Sequence, residues 1–153
     1  MPYHLEVCVD NIESITTAVN AGATRIELCS SLSLGGLTPS AGFMRAAKQL
    51  SQVPVYAMIR PRQGDFFFNE QELDIMLADI QAAKTAGLDG IVMGVLTADG
   101  RVDLAICRKL IEQAEGMGIT FHRAIDQCQD AFQALEDVIS LSCERILTSG
   151  LSD

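Results

Sequence analysis

The chain has 153 residues, 48% of them hydrophobic, and a formal net charge of −9. That length suits one domain spanning 1–153 that buries roughly two-thirds of its unfolded surface, and the apolar share excludes a disordered polymer. The acidic balance excludes a nucleic-acid backbone as partner, because phosphate binding needs clustered Lys and Arg, and no apolar run reaches the length of a membrane span.

The opening Met1-Pro-Tyr-His-Leu-Glu has neither the basic flank nor the long apolar stretch of a secretory signal. Five Cys without a Cys-x-x-Cys spacing then read as free thiols in a reducing cytoplasm. Residues 5–9 form a first predicted strand, followed by a helix over 12–21 with Asp10 or Asn11 as N-cap and Gly22 ending it. A second strand over 25–29 precedes a helix over 43–50, and a third strand over 55–59 begins after Pro54. The third helix is the clearest: Asn69 caps it, Glu72 stands three residues on, and Leu73, Met76, Leu77 and Ile80 share one face. Strand four covers 90–93. Helix four covers 104–115, with Leu104, Cys107, Leu110 and Ile111 inward. Strand five covers 119–121, helix five 131–142 with Phe132, Leu135, Val138 and Ile139 as its apolar residues, and strand six 145–147.

Strands alternating with helices imply right-handed βαβ units on a parallel sheet, either an open doubly wound sheet or a (β/α)₈ barrel. No Gly-x-Gly-x-x-Gly follows the first strand, which weakens the dinucleotide-binding version of the open sheet. The polar residues within strands favour the barrel. Glu6 with Cys8, Glu27 with Cys29, Met58 with Arg60, and Thr120 with His122 each fall on one side of their strand by its period of two. An open sheet covered on both faces would want nearly continuous apolar strands, whereas a barrel interior opens onto a C-terminal mouth. The expected fold is therefore an α/β TIM-type barrel, here truncated to about six βα units of the usual eight.

Several blocks carry a family resemblance. Leu5-Glu-Val-Cys-Val-Asp10, Gly22-Ala-Thr-Arg-Ile-Glu-Leu-Cys29, Gly35-Gly-Leu-Thr-Pro-Ser40 and Ile59-Arg-Pro-Arg-Gln-Gly-Asp-Phe66 stand in order. Gly94-Val-Leu-Thr-Ala-Asp-Gly100, Thr120-Phe-His-Arg-Ala-Ile-Asp126 and Arg145-Ile-Leu-Thr-Ser-Gly150 continue them. Together they resemble the CutC family over essentially the whole chain, with Gln63 standing where that family usually has Gly. The resemblance implies a (β/α)₈ barrel that runs past residue 153, a link to copper homeostasis, and Cys8 and Cys29 as the pair tied to Cu(I).

The residue chemistry leaves three readings open. Same-facing thiols on parallel strands about 4.8 Å apart could share one soft ion, although Glu6 and Glu27 raise their pKa values and Cys is also an ordinary small core residue. Cys107 falls on an apolar helix face, and Cys128 and Cys143 fall in loops. A small-molecule enzyme is the second reading. Glu6, Glu27, Arg60, Arg62, Asp65, His122, Arg123 and Asp126 all fall in or just after strands, where a barrel gathers them at its mouth. Arg60 and Arg62 can grip a carboxylate or phosphate, and Glu27 and His122 can exchange a proton with it. Glu6, Asp65, Arg123 and Asp126 are the further contacts. A purely structural account would instead pair these charges, for instance Glu27 with Arg60. An inactive truncated product is the third reading. The Gly35–Ser40 stretch is expected as a rigid turn, Phe66, Phe67 and Phe68 as a lid, an association surface or buried packing, and His4 as too isolated for a zinc site. Bare outer strands would favour self-association.

Overall fold

A computed structural model describes residues 3–151. Six parallel strands stand side by side in chain order: β1 (Glu6–Val9), β2 (Arg25–Leu28), β3 (Val55–Met58), β4 (Gly90–Met93), β5 (Gly118–Phe121) and β6 (Arg145–Ile146). Between them run α1 (Ile12–Asn20), α2 (Ala41–Leu50), α3 (Glu70–Thr85), α4 (Leu104–Gln113) and α5 (Ala131–Ser140). Short 3₁₀ turns at Leu32–Leu34 and Arg123–Gln127 follow β2 and β5. The sheet is the greater part of a barrel wall, with β1 and β6 as its edges. Among the described residues no helix is long and apolar enough to cross a membrane.

Each helix begins where the chain offers its own acceptor. Asn11, Ser40, Asn69, Asp103 and Asp130 accept from backbone N–H groups of the first turns. At Asn69 the full capping box forms, with Glu72 reaching back to the Asn69 N–H at 2.9 Å. Helix α2 starts at Ala41 rather than at 43, because the Ser40 hydroxyl accepts from the Phe43 N–H at 3.1 Å. Gly22, at φ +103°, ends the α1 turn as expected.

The strand register separates two faces. Ile26, Leu28, Val55, Ala57, Ile59, Ile91, Met93, Ile119 and Phe121 join the helices in the main core. The opposite, inner face carries Cys8 level with Glu27, Glu27 level with Tyr56, and Met58 level with Val92. There Cys29, Tyr56, Met58 and Val92 form a separate buried cluster. Tyr56 plugs the N-terminal end. Arg25 and Arg145 lie over its ring at 5.6 and 4.8 Å, its hydroxyl donates to Glu144 at 3.1 Å, and Arg25 pairs with Glu6. Gly90 and Gly118 make room for that plug, since a Cβ at either would overlap the tyrosine.

Helix α5 departs from expectation. Of its four apolar candidates only Val138 is buried; Phe132 is 84% exposed, Ile139 59% and Leu135 38%. Ala134 and Asp137 turn inward with Val138 instead. The reason is that α5 is the outermost helix and nothing among the described residues packs on its far flank.

Candidate functional site

A cavity of about 380 Å³ opens on the inner face at the C-terminal ends of the strands, where barrels of this kind place their chemistry. Cys8 from β1, Glu27 from β2, Arg60 two residues beyond β3, and His122 directly after β5 line it. The period of two explains the convergence. Met58 and Arg60, and likewise Thr120 and His122, share a strand side, so the chain delivers polar groups to the inner face while Ile59 and Phe121 anchor the outer one. Leu32, Leu34, Met58, Phe66 and Leu147 add an apolar wall.

Glu27, Arg60 and His122 are 2%, 8% and 3% exposed, and each leaves one polar atom without a partner: Glu27 Oε2, Arg60 Nε and His122 Nε2. An unpartnered buried polar atom costs about 1–3 kcal/mol, so three in one cavity mark a place where stability has been given up. Glu27 and Arg60 form no ion pair among the described residues; Glu27 Oε1 instead accepts from the Cys29 thiol at 3.7 Å. Burial, and then the Glu6 carboxylate, raises the Glu27 carboxyl from 4.5 to about 7.

Arg60 is oriented by its second-row contacts. Its terminal nitrogens donate to the carbonyls of Leu34 (3.3 Å) and Gly64 (2.8 Å), its guanidinium lies 4.8 Å over the Phe66 ring, and its main chain is bound to Thr38. His122 also packs on Phe66, ring centroids 4.9 Å apart. Its Nδ1 accepts from the Ala124 N–H at 3.2 Å, so the neutral ring carries its proton on Nε2, which has no partner. Burial, and then the Arg60 charge, lowers its pKa from 6.5 to about 3. His122 is thus a neutral hydrogen-bond donor at ordinary pH, and of the two groups expected to exchange protons, Glu27 is the one that titrates near neutrality.

The other candidate contacts divide. Arg123 and Asp126 line the cavity, but they are tied to each other and to the turn after β6. Burial alone would raise the Asp126 carboxyl; hydrogen bonds from Thr148, Ser149 and Arg123 hold it well below its usual range. Glu6, Arg62 and Asp65 are not on the cavity wall. Glu6 serves Arg25 at the closed end. Arg62 donates to Glu72 at 2.7 Å, to the Asp65 carboxylate at 3.0 Å, and to the carbonyls of Asp65 and Phe67. It braces the loop between β3 and α3. Phe66 and Phe68 are buried beneath the two arginines, and only Phe67 is half exposed.

Cys8 and Cys29 both adjoin Glu27, the first by register and the second by hydrogen bond. Cys29 is wholly buried and Cys8 exposed; desolvation, then the Glu27 charge, pushes the Cys8 thiol up to about 12 and the Cys29 thiol higher still, with the greater accessibility of Cys8 weakening the desolvation part there. The adjacent carboxylates act in the expected direction, with burial the larger cause. Cys107 is wholly buried behind the sheet. Among the described residues no three His, Cys, Asp or Glu side chains gather as a ligand set.

Two glycines shape the site: Gly35, expected only as part of a rigid turn, and Gly94, which sequence reasoning did not single out. A Cβ at Gly94 would stand 2.7 Å from His122 Cε1, and one at Gly35 would stand 2.9 Å from an Arg60 terminal nitrogen. The available signal was parity: Gly94 lies two residues beyond inward Val92, at the height of the mouth.

A parallel barrel wall with ionisable side chains pooled at its C-terminal mouth defines a TIM-barrel-type protein with one polar site. The chain belongs to the CutC family, whose model matches residues 3–153. A protein named CutC of Vibrio parahaemolyticus is 66% identical over 154 residues, and that of Vibrio campbellii 64%. The match covers 99% of this chain and 62% of each relative, so the chain spans under two-thirds of their length. The crystal structure of CutC from Streptococcus agalactiae, assigned to copper homeostasis by its name, superposes with a TM-score of 0.93 at 34% identity. It covers 99% of this chain and 75% of that one.

Proposed function

We propose that the mouth of this barrel binds a small anionic metabolite and moves a proton on it. The carrying observation is that Glu27, Arg60 and His122 line one cavity and that each holds a buried polar atom without a partner: Oε2, Nε and Nε2. Arg60 supplies the positive charge, and His122 donates a hydrogen bond without ionising. Glu27, shifted to about 7, is the acid–base group whose pKa suits proton transfer at neutral pH. The test is a melting-temperature and calorimetric titration with phosphate, acetate and pyruvate on the wild type, Arg60→Lys and His122→Phe. A saturable shift in the wild type that both variants weaken supports the site; equal responses in all three proteins sink it.

Cu(I) carriage by Cys8 and Cys29 is a second reading. Its support is the copper homeostasis name of the Streptococcus agalactiae relative and the placement of both thiols beside Glu27. Both protons must leave against the Glu27 charge, and that of Cys29 against burial as well, so uptake rises with pH. A competition titration should find about one Cu(I) per chain, lost in Cys8→Ser/Cys29→Ser and retained in Cys107→Ser. Equal uptake by the double variant removes this reading. The five free cysteines support a reducing, cytoplasmic setting.

A further inference from the structure

Barrels that hold phosphate use convergent backbone N–H groups from helix starts and late loops. Among the described residues each α-helix start gives at least one of these donors to its own cap. All five α-helices are capped by their own Asn11, Ser40, Asn69, Asp103 and Asp130. The turn after β6 is filled from within: Asp126 accepts from the N–H groups of Ser149 (2.9 Å) and Leu151 (3.3 Å), and the Gly150 N–H donates to Thr148.

Three residues of the cavity wall each keep one polar atom without a partner. Arg60 Nε–H and His122 Nε2–H are donors, and Glu27 Oε2 is an acceptor. A guanidinium edge matches a carboxylate, and a second, neutral donor matches a carbonyl oxygen beside it. Leu32, Leu34, Met58, Phe66 and Leu147 then face whatever lies beyond, which suits hydrocarbon. The volume, 380 Å³, lies at the small end of ligand pockets.

We propose, building on the small-anion reading above, that the cavity takes a small 2-oxo monocarboxylate with a short hydrocarbon tail and enolises it. Arg60 holds the carboxylate and His122 donates to the 2-oxo oxygen. The Glu27 carboxylate takes a proton from C3; the C3–H electron pair becomes the C2=C3 bond, and the carbonyl pair moves onto the oxygen facing His122. That imidazole keeps its proton and stabilises the enolate by hydrogen bonding. Return of the proton from Glu27 restores the 2-oxo acid, so no oxidant, reductant or second substrate is needed.

The probe is 2-oxobutanoate with the whole chain, and butanoate and inorganic phosphate are comparators. Calorimetry should show saturable binding of 2-oxobutanoate, with butanoate and phosphate about tenfold weaker or worse, since a site built around a polar group rejects ligands that leave it unpaired. In D₂O, the C3 proton signals of the probe should disappear faster with protein than in buffer. Glu27→Gln should slow that protein-dependent exchange about 100-fold while binding persists, and Arg60→Lys should weaken binding. If Glu27→Gln does not fold, Glu27→Asp, with its carboxylate drawn back, should show the same split between exchange and binding. Phosphate binding as tightly as 2-oxobutanoate, or exchange that is absent or indifferent to Glu27, overturns the enolisation proposal while Arg60-dependent binding keeps the anion site. If none of the three anions binds in an Arg60-dependent manner, both fall.

Discussion

Replacing Glu27 by Gln should make the protein more stable at alkaline pH, and the size of the gain follows from the carboxyl's surroundings. Glu27 is 2% exposed, has Glu6 nearby, and titrates at about 7 against an ordinary 4.5. The folded chain therefore holds this proton to higher pH than the unfolded chain does. Its contribution to stability is complete below 4.5, declines as pH rises, and is gone above about 7. Each pKa unit corresponds to about 1.4 kcal/mol, so the ionised carboxylate costs the fold about 3 kcal/mol at pH 8. His122 works in the opposite sense. Lowered from 6.5 to about 3, its neutral ring favours the fold above 6.5, an advantage lost as pH falls toward 3. In the wild type the two slopes oppose each other between 4.5 and 6.5, so the pH profile of the wild type alone conceals both. The difference between Glu27→Gln and wild type cancels the His122 part. Urea unfolding followed by circular dichroism from pH 4.5 to 8.5 should show that difference growing in favour of the variant by about 3 kcal/mol. A difference that stays constant within about 0.5 kcal/mol from pH 5 to 8 would refute the claim that Glu27 is an unpaired, desolvated acid.

Gly94→Ala should cost about 1–3 kcal/mol by overpacking and should weaken anion binding, because the new Cβ displaces the His122 ring; a thermal melt paired with a titration checks both, and unchanged affinity would contradict the role given to that ring. Arg62→Ala should lower stability by about 1–2 kcal/mol, discounted because the side chain is one-third exposed, yet leave anion affinity intact. A matching loss of affinity would return Arg62 to the site. The edges of β1 and β6, together with Phe132, Leu135 and Ile139 on α5, should drive self-association visible as concentration-dependent mass in light scattering. Phe132→Lys/Ile139→Lys should reduce it, and a monomer at every concentration in the wild type would count against it.

The βα order, the capping box at Asn69, the boundaries of β4 and the inward parity of Glu27, Arg60 and His122 were all legible in the sequence. These depend on interactions within a few residues: a side chain reaching a nearby N–H, or an alternation that any strand imposes. The same locality explains why Arg60 and Arg62 looked alike two positions apart. Only the tertiary structure separated them, by giving Arg62 to Glu72 and the loop carbonyls and laying Arg60 over Phe66 with its Nε unpartnered. The apolar pattern of α5 likewise could not say which flank would find a neighbour, since burial depends on what packs there and not on period. Gly94 and Gly35 carry no side chain for a pattern to register, and their meaning exists only in the atoms a Cβ would meet. Sequence thus determined which side of each strand is polar. Folding decided which of those polar groups were satisfied by other parts of the chain and which were left facing the cavity, because hydrogen-bond partners distant in sequence are set by the packing of the whole barrel wall.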